Sequence, residues 1–351
     1  MIETTEQLSA YLNSLQGDFR AMDLEGDSLH RYQEKISLVQ FTDGENHQLI
    51  DPLAIDDMQP LKDFLKEGEL WMHGADYDIV MMRKDLDVVP PLIWDTQIGA
   101  RLLGVKKFGY GNLVEHFQGV EISKSSQKAD WSKRPLTEKM TEYAINDVLF
   151  LKPIVEQILR GLHEKGRYSW FVESCQWARE KVLERPMEKE DPWRIAGSGK
   201  MNPRSLAYLR GLWYWRDEQA REWDRPTFMV CGNKQLIAWV FDLVAGKSIT
   251  LPKHFRPSRR KAFFEAAEEV KNLSDDVLPQ RVRGKGRRDK NEIFDARVEA
   301  MSKLRDSVAN ELDIDASLII SKSTIEALSA EEVEPTSVLM KWQMKLLNMD
   351  M

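Results

Sequence analysis

The chain has 351 residues, of which 42% are apolar and 30% are charged, and its formal net charge is -7. This length favours two or three domains over a single core, and this composition excludes the disordered and fibrous classes of protein. The negative charge also argues against a surface that binds nucleic acid everywhere, so any basic patch must be local.

The cysteines and the apolar runs bear on where the protein works. Cys175 and Cys231 are the only cysteines, too few for a disulfide framework or a cysteine-based zinc site. The first 20 residues lack a basic start followed by an apolar run, and the longest apolar stretches are too short to cross a bilayer. We therefore expect a cytoplasmic protein without export or membrane anchoring.

The first part of the chain alternates between strand and helix signals. A helical pattern lies at residues 58–65, and apolar runs typical of strands lie at residues 19–24, 36–41, 48–50 and 70–72. After residue 94 the strand signals stop and helical spacing follows. This order predicts an α/β domain whose later helices pack on the sheet.

Two acidic residues, Asp23 and Glu25, stand at the end of the first predicted strand. Residues two positions apart on a strand point to the same face, so the two carboxylates converge. Such a pair suits hard cations such as Mg²⁺ or Mn²⁺, which prefer oxygen ligands. With 57 Asp and Glu residues in the chain, an acid-x-acid triplet also arises by chance, so this pair alone leaves a structural role open.

The sequence HGADYD at residues 73–78 follows a predicted strand and forms a strand-to-helix turn. Open α/β sheets place ligands at this edge, so a third carboxylate reaches the first two. We assign Asp78 to the metal and expect Asp76 to cap the helix, since capping is sufficient reason for an Asp there. His73 is expected to be a packed or hydrogen-bonded turn residue, with a role as a ligand as the alternative.

Tyr143 and Asp147 lie four positions apart in a helical pattern, which stacks them on one helix face. In an isolated helix this pair would be unremarkable. Together with the earlier acids, it places a phenol and a fourth carboxylate at one point.

This combination resembles the DEDD exonuclease superfamily in its tyrosine-bearing branch, and within it the chain is similar to the ribonuclease D family. The histidine-bearing branch would need His five residues before the last Asp, where this chain has Glu142. The likeness covers roughly residues 2–162 and includes the stretches WDTQIGARLLG (94–104), SSQKADWSKRPLT (125–137) and YAINDVLFLKPI (143–154).

The second half of the chain is helical in pattern. Residues 184–200 contain two prolines and two glycines, which is typical of a linker. The stretch NPRSLAYLRGLWYWRDEQAREWDRP (202–226), which opens on an Asn-Pro cap, resembles the first helix of an HRDC domain, a small nucleic-acid-binding helical module. A fainter second copy includes SLIISKSTI (317–325). Between these modules, six of the ten residues 281–290 are Lys or Arg, which is typical of a basic connector.

The resemblance implies an α/β ribonuclease H-like exonuclease domain followed by all-α helical HRDC-like domains. The implied boundaries are residues 1–165 for the DEDD 3′-5′ exonuclease domain, 166–200 for a helical linker, and 201–280 and 291–351 for the two HRDC-like domains. We expect Trp213, Trp215 and Trp239 to be core residues, because aromatics at helical spacing usually are.

The resemblance also implies a 3′→5′ exoribonuclease that uses two divalent cations, Mg²⁺ or Mn²⁺, and acts on RNA 3′ ends such as those of tRNA precursors. The cations would be held by Asp23, Glu25, Asp78 and Asp147, and Tyr143 would orient the attacking water. The alternatives are a DNA exonuclease of the same superfamily and a nucleic-acid-binding protein without nuclease activity.

Candidate RNA contacts lie in the polar loop (Gln127, Trp131, Arg134) and in the basic connector (Arg281, Arg283, Arg287, Arg288). A solvated linker without RNA contact remains the alternative for the connector. No nucleotide cofactor is expected, because the GKS triplet at residues 246–248 lacks the earlier glycine of a phosphate-binding loop, where Phe241 stands.

Overall fold

The computed structural model describes residues 1–123, 125–282 and 291–349. The chain folds into two compact units. The first comprises Met1–Gly26, Ile36–Arg185 and Arg288–Met351, and the second comprises Asp27–Lys35 and Pro186–Arg287. In the described ranges, no helix has both the length and the apolar character that crossing a membrane requires.

A mixed sheet lies at the centre of the first unit. Its strands are β1 (Ala21–Gly26), β2 (Ile36–Thr42), β3 (His47–Ile50), β4 (Glu69–Met72) and β5 (Leu92–Asp95). They lie in the order β3-β2-β1-β4-β5, with antiparallel pairing among β1, β2 and β3 and parallel pairing from β1 through β4 to β5. The four predicted strands are confirmed. The sequence pattern did not single out β5, a four-residue strand that follows two prolines.

Helices cover both faces of this sheet. They are α1 (Thr5–Ser14), α2 (Gln59–Lys66), α3 (Asp76–Met81), α4 (Thr96–Leu102), α5 (Tyr110–Gln118), α6 (Glu138–Leu149), α7 (Leu151–Glu164) and α8 (Tyr168–Leu183). Alternation along β2 separates the faces: Val39 and Phe41 pack with apolar residues of α1, α2 and α3, whereas Leu38 packs with residues of α6.

The second unit contains α9 (Pro203–Trp223), α10 (Thr227–Val230), α11 (Asn233–Val244) and α12 (Pro257–Lys271). As predicted, Asn202 caps α9 by accepting a hydrogen bond from the Ser205 amide. Trp215 and Trp239 are buried against Phe263, with ring centroids 5.1 and 5.2 Å from it. Trp193, from the segment predicted as a linker, is also buried in this core, so part of that segment is packed.

The final helices are α13 (Glu292–Leu312), α14 (Ala316–Ile319), α15 (Lys322–Ser329), α16 (Pro335–Val338) and α17 (Lys341–Leu346). They pack within the first unit, where the Arg167 guanidinium donates to the carbonyls of Leu102 and Leu312 at 2.6 and 2.7 Å. At Gly104 (φ +89°) a Cβ would overlap the carbonyl oxygen of Asp313, so only glycine allows this approach. An α/β domain with helical modules after it is therefore confirmed.

Candidate active site

Asp23 and Glu25 lie on β1 and share one face of the sheet. Side chains alternate along the strand, and their neighbours Met22 and Leu24 pack in the core on the opposite side, with residues of α1 and α2. The two carboxylates therefore point to the face that α6 covers.

Helix α6 carries the other predicted pair to this face. Its N-terminus is capped by Thr137, and Met140 and Ala144 are buried in the cluster that includes Leu38 of β2. This packing turns Tyr143 and Asp147 toward β1, where the charge of the Asp147 carboxylate acts on the Tyr143 phenol.

Three of the predicted acids meet at one point. One carboxylate oxygen from each of Asp23, Glu25 and Asp147 lies within 4.8 Å of the others, and all three side chains are partly buried. A spacing this short allows the three oxygens to share a cation. Asp78 acts electrostatically on this group, and we refer to the four acids as the carboxylate cluster.

Asp78 reaches the cluster from α3. The turn before this helix is fixed by Asp95, whose carboxylate accepts hydrogen bonds from the Gly74 and Ala75 amides at 3.0 Å each. Asp78 is buried, whereas Asp76 is exposed and forms an ion pair with Arg185 at 3.2 Å. The expected capping role of Asp76 is wrong, because α3 begins at this residue and Ala75 holds the cap position without a side-chain bond.

His73 lies in the same turn. One of its ring nitrogens, Nδ1, is 2.9 Å from the Thr96 hydroxyl oxygen. It is thus a hydrogen-bonded turn residue, as predicted.

Burial raises the pKa of every carboxyl in the cluster. It raises the pKa of Asp23 to about 7, and together with the negative charge of Asp23 it raises that of Asp147 to about 8. Burial and the three other carboxylates raise the pKa of Glu25 to about 10, and burial followed by the charge of Asp23 raises that of Asp78 well above its usual value. Acids placed this way become stable anions when a cation joins them, so this all-oxygen donor set fits a hard divalent cation.

The loop before α6 is fixed by Arg134, which uses all five of its N–H donors. Nε and Nη2 bind the two carboxylate oxygens of Asp51, and the remaining bonds go to the carbonyls of Ser37, Trp131 and Lys133 at 2.7, 2.7 and 2.8 Å. The ring of Trp131 lies 6.0 Å from that of Tyr143. The loop therefore supports the tyrosine that faces the cluster.

These contacts overturn two of the predicted RNA contacts. Trp131 is 1% exposed and is a core residue, so it offers no face on which a base could stack. Arg134 has no donor left for a phosphate. Gln127 and Arg281 are exposed, and Arg283, Arg287 and Arg288 lie outside the described residues.

Two residues near the carboxylate cluster were not predicted from the sequence. Asp95 fixes the turn that carries Asp78, and its place directly after an apolar run and before Thr96 is an N-cap signal. Tyr110 donates to the Asn146 carbonyl at 2.9 Å and accepts from the Phe150 amide at 3.3 Å, which fixes the junction of α6 and α7. No local pattern points to Tyr110, because its partners are distant in sequence.

Known proteins resemble this chain in both sequence and fold. Residues 1–163 match the model of a 3′-5′ exonuclease domain family. Ribonuclease D of Escherichia coli is 30% identical over 292 residues, which cover 80% of this chain and 77% of that relative. Ribonuclease D of Cronobacter turicensis is 31% identical over 241 residues, and here the chain spans 65% of the relative.

Solved structures extend the likeness to the helical modules. The crystal structure of Escherichia coli RNase D matches 99% of this chain and 98% of its own, with a TM-score of 0.75 at 26% identity. A protein from Bifidobacterium adolescentis has the same fold, with a TM-score of 0.81 at 22% identity. The predicted ribonuclease H-like exonuclease domain with HRDC-like domains after it is confirmed as a fold class. The chain belongs to the ribonuclease D family of 3′→5′ exoribonucleases.

Proposed function

We propose that this chain shortens RNA from its 3′ end and trims tRNA precursors and other small structured RNAs. The observation that carries the proposal is the approach of the Asp23, Glu25 and Asp147 oxygens to within 4.8 Å of one another. The Tyr143 hydroxyl lies close enough for the charges of Asp147, Glu25 and Asp23 to act on it. Clustered carboxylates with an adjacent hydrogen-bond donor suit the hydrolysis of a phosphodiester.

In this proposal the carboxylate cluster holds two divalent cations, Mg²⁺ or Mn²⁺. Bound cations of this kind supply an activated water and stabilise the leaving oxygen. Asp23, Glu25 and Asp147 would form one cation site, Asp23 would also contribute to a second, and Asp78 would support the site through water or directly. The partial burial of Asp23, Glu25 and Asp147 strengthens each electrostatic contact among them.

Tyr143 would position the attacking water. Burial and the charges of Asp147, Glu25 and Asp23 raise the pKa of its phenol above the ordinary value of 10.0. The phenol therefore stays protonated at neutral pH, where it donates and accepts hydrogen bonds but does not act as a base.

The substrate assignment draws on the relatives and on the distribution of charge. Escherichia coli RNase D is described as an exoribonuclease involved in structured RNA processing. In this chain, the HRDC-like modules and the basic connector (Arg281, Arg283, Arg287, Arg288) would bind the RNA backbone, and exposed Gln127 would contact the strand near the site.

We also propose a functional division of the chain and its location. The exonuclease domain would occupy residues 1–165, the linker 166–200 and the HRDC-like domains 201–280 and 291–351. The protein would act in the cytoplasm, where the buried free thiols of Cys175 and Cys231 stay reduced.

The direct test uses one structured RNA, labelled at either end, with Mg²⁺ or with EDTA. With Mg²⁺ we expect immediate release of the 3′ label and stepwise shortening of the 5′-labelled strand, and with EDTA no cleavage. Binding without cleavage in Mg²⁺ and in Mn²⁺ would favour a nucleic-acid-binding protein. Equal or faster turnover of a matched DNA strand would favour a DNA exonuclease.

A further inference from the structure

Gln40 on β2 is the register partner of Asp23 on β1. On the same strand, Leu38 packs with residues of α6, whereas Val39 and Phe41 pack on the opposite face. Because side chains alternate along a strand, Gln40 points to the face of Leu38, which is also the face of Asp23. Gln40 and Asp23 are therefore side by side on the face that α6 covers.

The side chain of Gln40 is 0% exposed, and among the described residues neither its Nε2 nor its Oε1 has a hydrogen-bond partner. A buried amide without partners destabilises a fold, whereas Met would fill a similar volume without this cost. Packing alone therefore gives no reason for a glutamine at this position. A polar partner that binds the amide would provide that reason.

We propose that Gln40 is a positioning residue of the active site, whose carboxamide binds the Asp23 carboxylate through a buried water and fixes the orientation in which Asp23 meets a cation. This inference rests on the proposed function, since it takes Asp23 as a cation ligand. A buried water requires two to four polar partners, which the donor and acceptor of the carboxamide and the carboxylate provide. Partners of this kind orient metal ligands and set their affinity.

The test is Gln40→Met, which removes the amide and keeps the volume. We expect Mn²⁺ affinity, measured by calorimetry without RNA, to fall by about 10- to 100-fold, and kcat to fall with it. KM for RNA should stay at the wild-type value. The melting temperature should stay at the wild-type value or rise above it. The matched control is Gln48→Met on β3, where the glutamine is half-buried and pairs with Phe41. In this control neither the Mn²⁺ affinity nor kcat should change.

A second variant separates positioning from packing. Gln40→Asn keeps the amide but shortens the side chain, so it should lose more stability than Gln40→Met and yet retain more Mn²⁺ affinity. A purely structural glutamine would give the reverse, with Mn²⁺ affinity following the melting temperature in both variants. That result, or wild-type Mn²⁺ affinity and kcat in Gln40→Met, would overturn the proposal.

Asp23→Asn distinguishes this inference from the function on which it rests. If Asp23→Asn keeps wild-type turnover, the cation site itself is misassigned and the proposed function fails. If Asp23→Asn is inactive while Gln40→Met behaves as wild type, only the role of Gln40 is wrong.

Discussion

The carboxylate cluster and the ion pair between Arg134 and Asp51 both bury charge, but they differ in how that charge is balanced. The Asp51 side chain is 2% exposed, and the Arg134 guanidinium bonds both of its oxygens. In the cluster, burial and neighbouring carboxylates raise the pKa values of Glu25, Asp78 and Asp147. One site is neutralised by the protein itself, whereas the other is an uncompensated group of acids that fits a cation from solution.

This difference indicates which buried charges are structural and which are functional. The Arg134–Asp51 pair is complete and holds the loop behind Tyr143 in place. The carboxylate cluster is destabilising as a set of anions, so its presence is explained by what it binds. Substitutions in the two sites should therefore affect different quantities: activity in the cluster, and stability in the pair.

The largest effect is expected in the cluster. Asp23→Asn and Asp147→Asn should each lower the hydrolysis rate by at least about 10³-fold, since bound cations supply several kcal/mol of transition-state stabilisation. RNA binding should persist, because the helical modules lie outside the cluster. Asp76→Asn is the matched control, since Asp76 is exposed and paired with Arg185, and it should retain wild-type turnover. Rates from single-turnover assays and affinities from filter binding check both expectations, and wild-type turnover in either cluster variant would contradict the cation role.

The ion pair should respond through stability. Arg134→Met leaves the buried Asp51 carboxylate without its counter-ion, with the Leu53 amide still donating to it at 3.0 Å, and this should cost about 3–5 kcal/mol of unfolding free energy. Adding Asp51→Leu to this variant removes the orphaned charge and should recover part of the loss. Urea denaturation of the single and double variants measures both. If Arg134→Met unfolds like the wild type, the pair does not secure the loop.

A smaller effect is expected where the two sites meet, at Tyr143. Tyr143→Phe keeps the ring against Trp131 and removes the hydroxyl, so the single-turnover rate should fall by about 10²-fold with little change in melting temperature. Tyr110→Phe is the matched control, because its hydroxyl bonds the backbone at the junction of α6 and α7. That variant should lose about 0.5–1.5 kcal/mol of stability and more of its rate should remain. A stable Tyr143→Phe with undiminished rate would remove Tyr143 from the mechanism.

The last prediction concerns pH. The pKa values of Asp23 and Asp147 rise from 3.8 to about 7 and about 8, so the folded protein without cations binds protons more tightly than the unfolded chain. Its stability should therefore fall as pH rises from about 4 to about 8. Thermal melts in EDTA from pH 5 to 8 should show the fall, and Asp147→Asn or added Mg²⁺ should reduce it. A melting temperature that does not change with pH in EDTA would show that ionising the cluster does not destabilise the folded protein.

The sequence predicts which site residues converge when their spacing along one strand or helix fixes the face to which they point. Asp23 and Glu25 share a strand face, and Tyr143 and Asp147 share a helix face, so their convergence follows from strand and helix periodicity. The partners of Arg134 could not be predicted from the sequence, because Asp51 is 83 residues away and no local pattern marks the pairing. Trp131 was misjudged for the same reason: its loop is polar in sequence, but the fold buries its ring.

The role of Gln40 also depends on strand pairing that the sequence pattern does not give. Its register with Asp23 is set by the antiparallel alignment of β1 and β2. The packing of the final helices in the first unit likewise involves contacts between residues that are distant in sequence, such as Arg167 with the Leu312 carbonyl. Helical periodicity does not predict such contacts.

Anomalous diffraction from crystals grown with Mn²⁺ is the most direct test of the carboxylate cluster as a cation site. We predict an anomalous peak among the carboxylate oxygens of Asp23, Glu25 and Asp147, and its loss or weakening in Asp147→Asn crystals grown in the same way. A Mn²⁺ concentration that supports full activity but leaves no peak at these three residues would contradict the assignment.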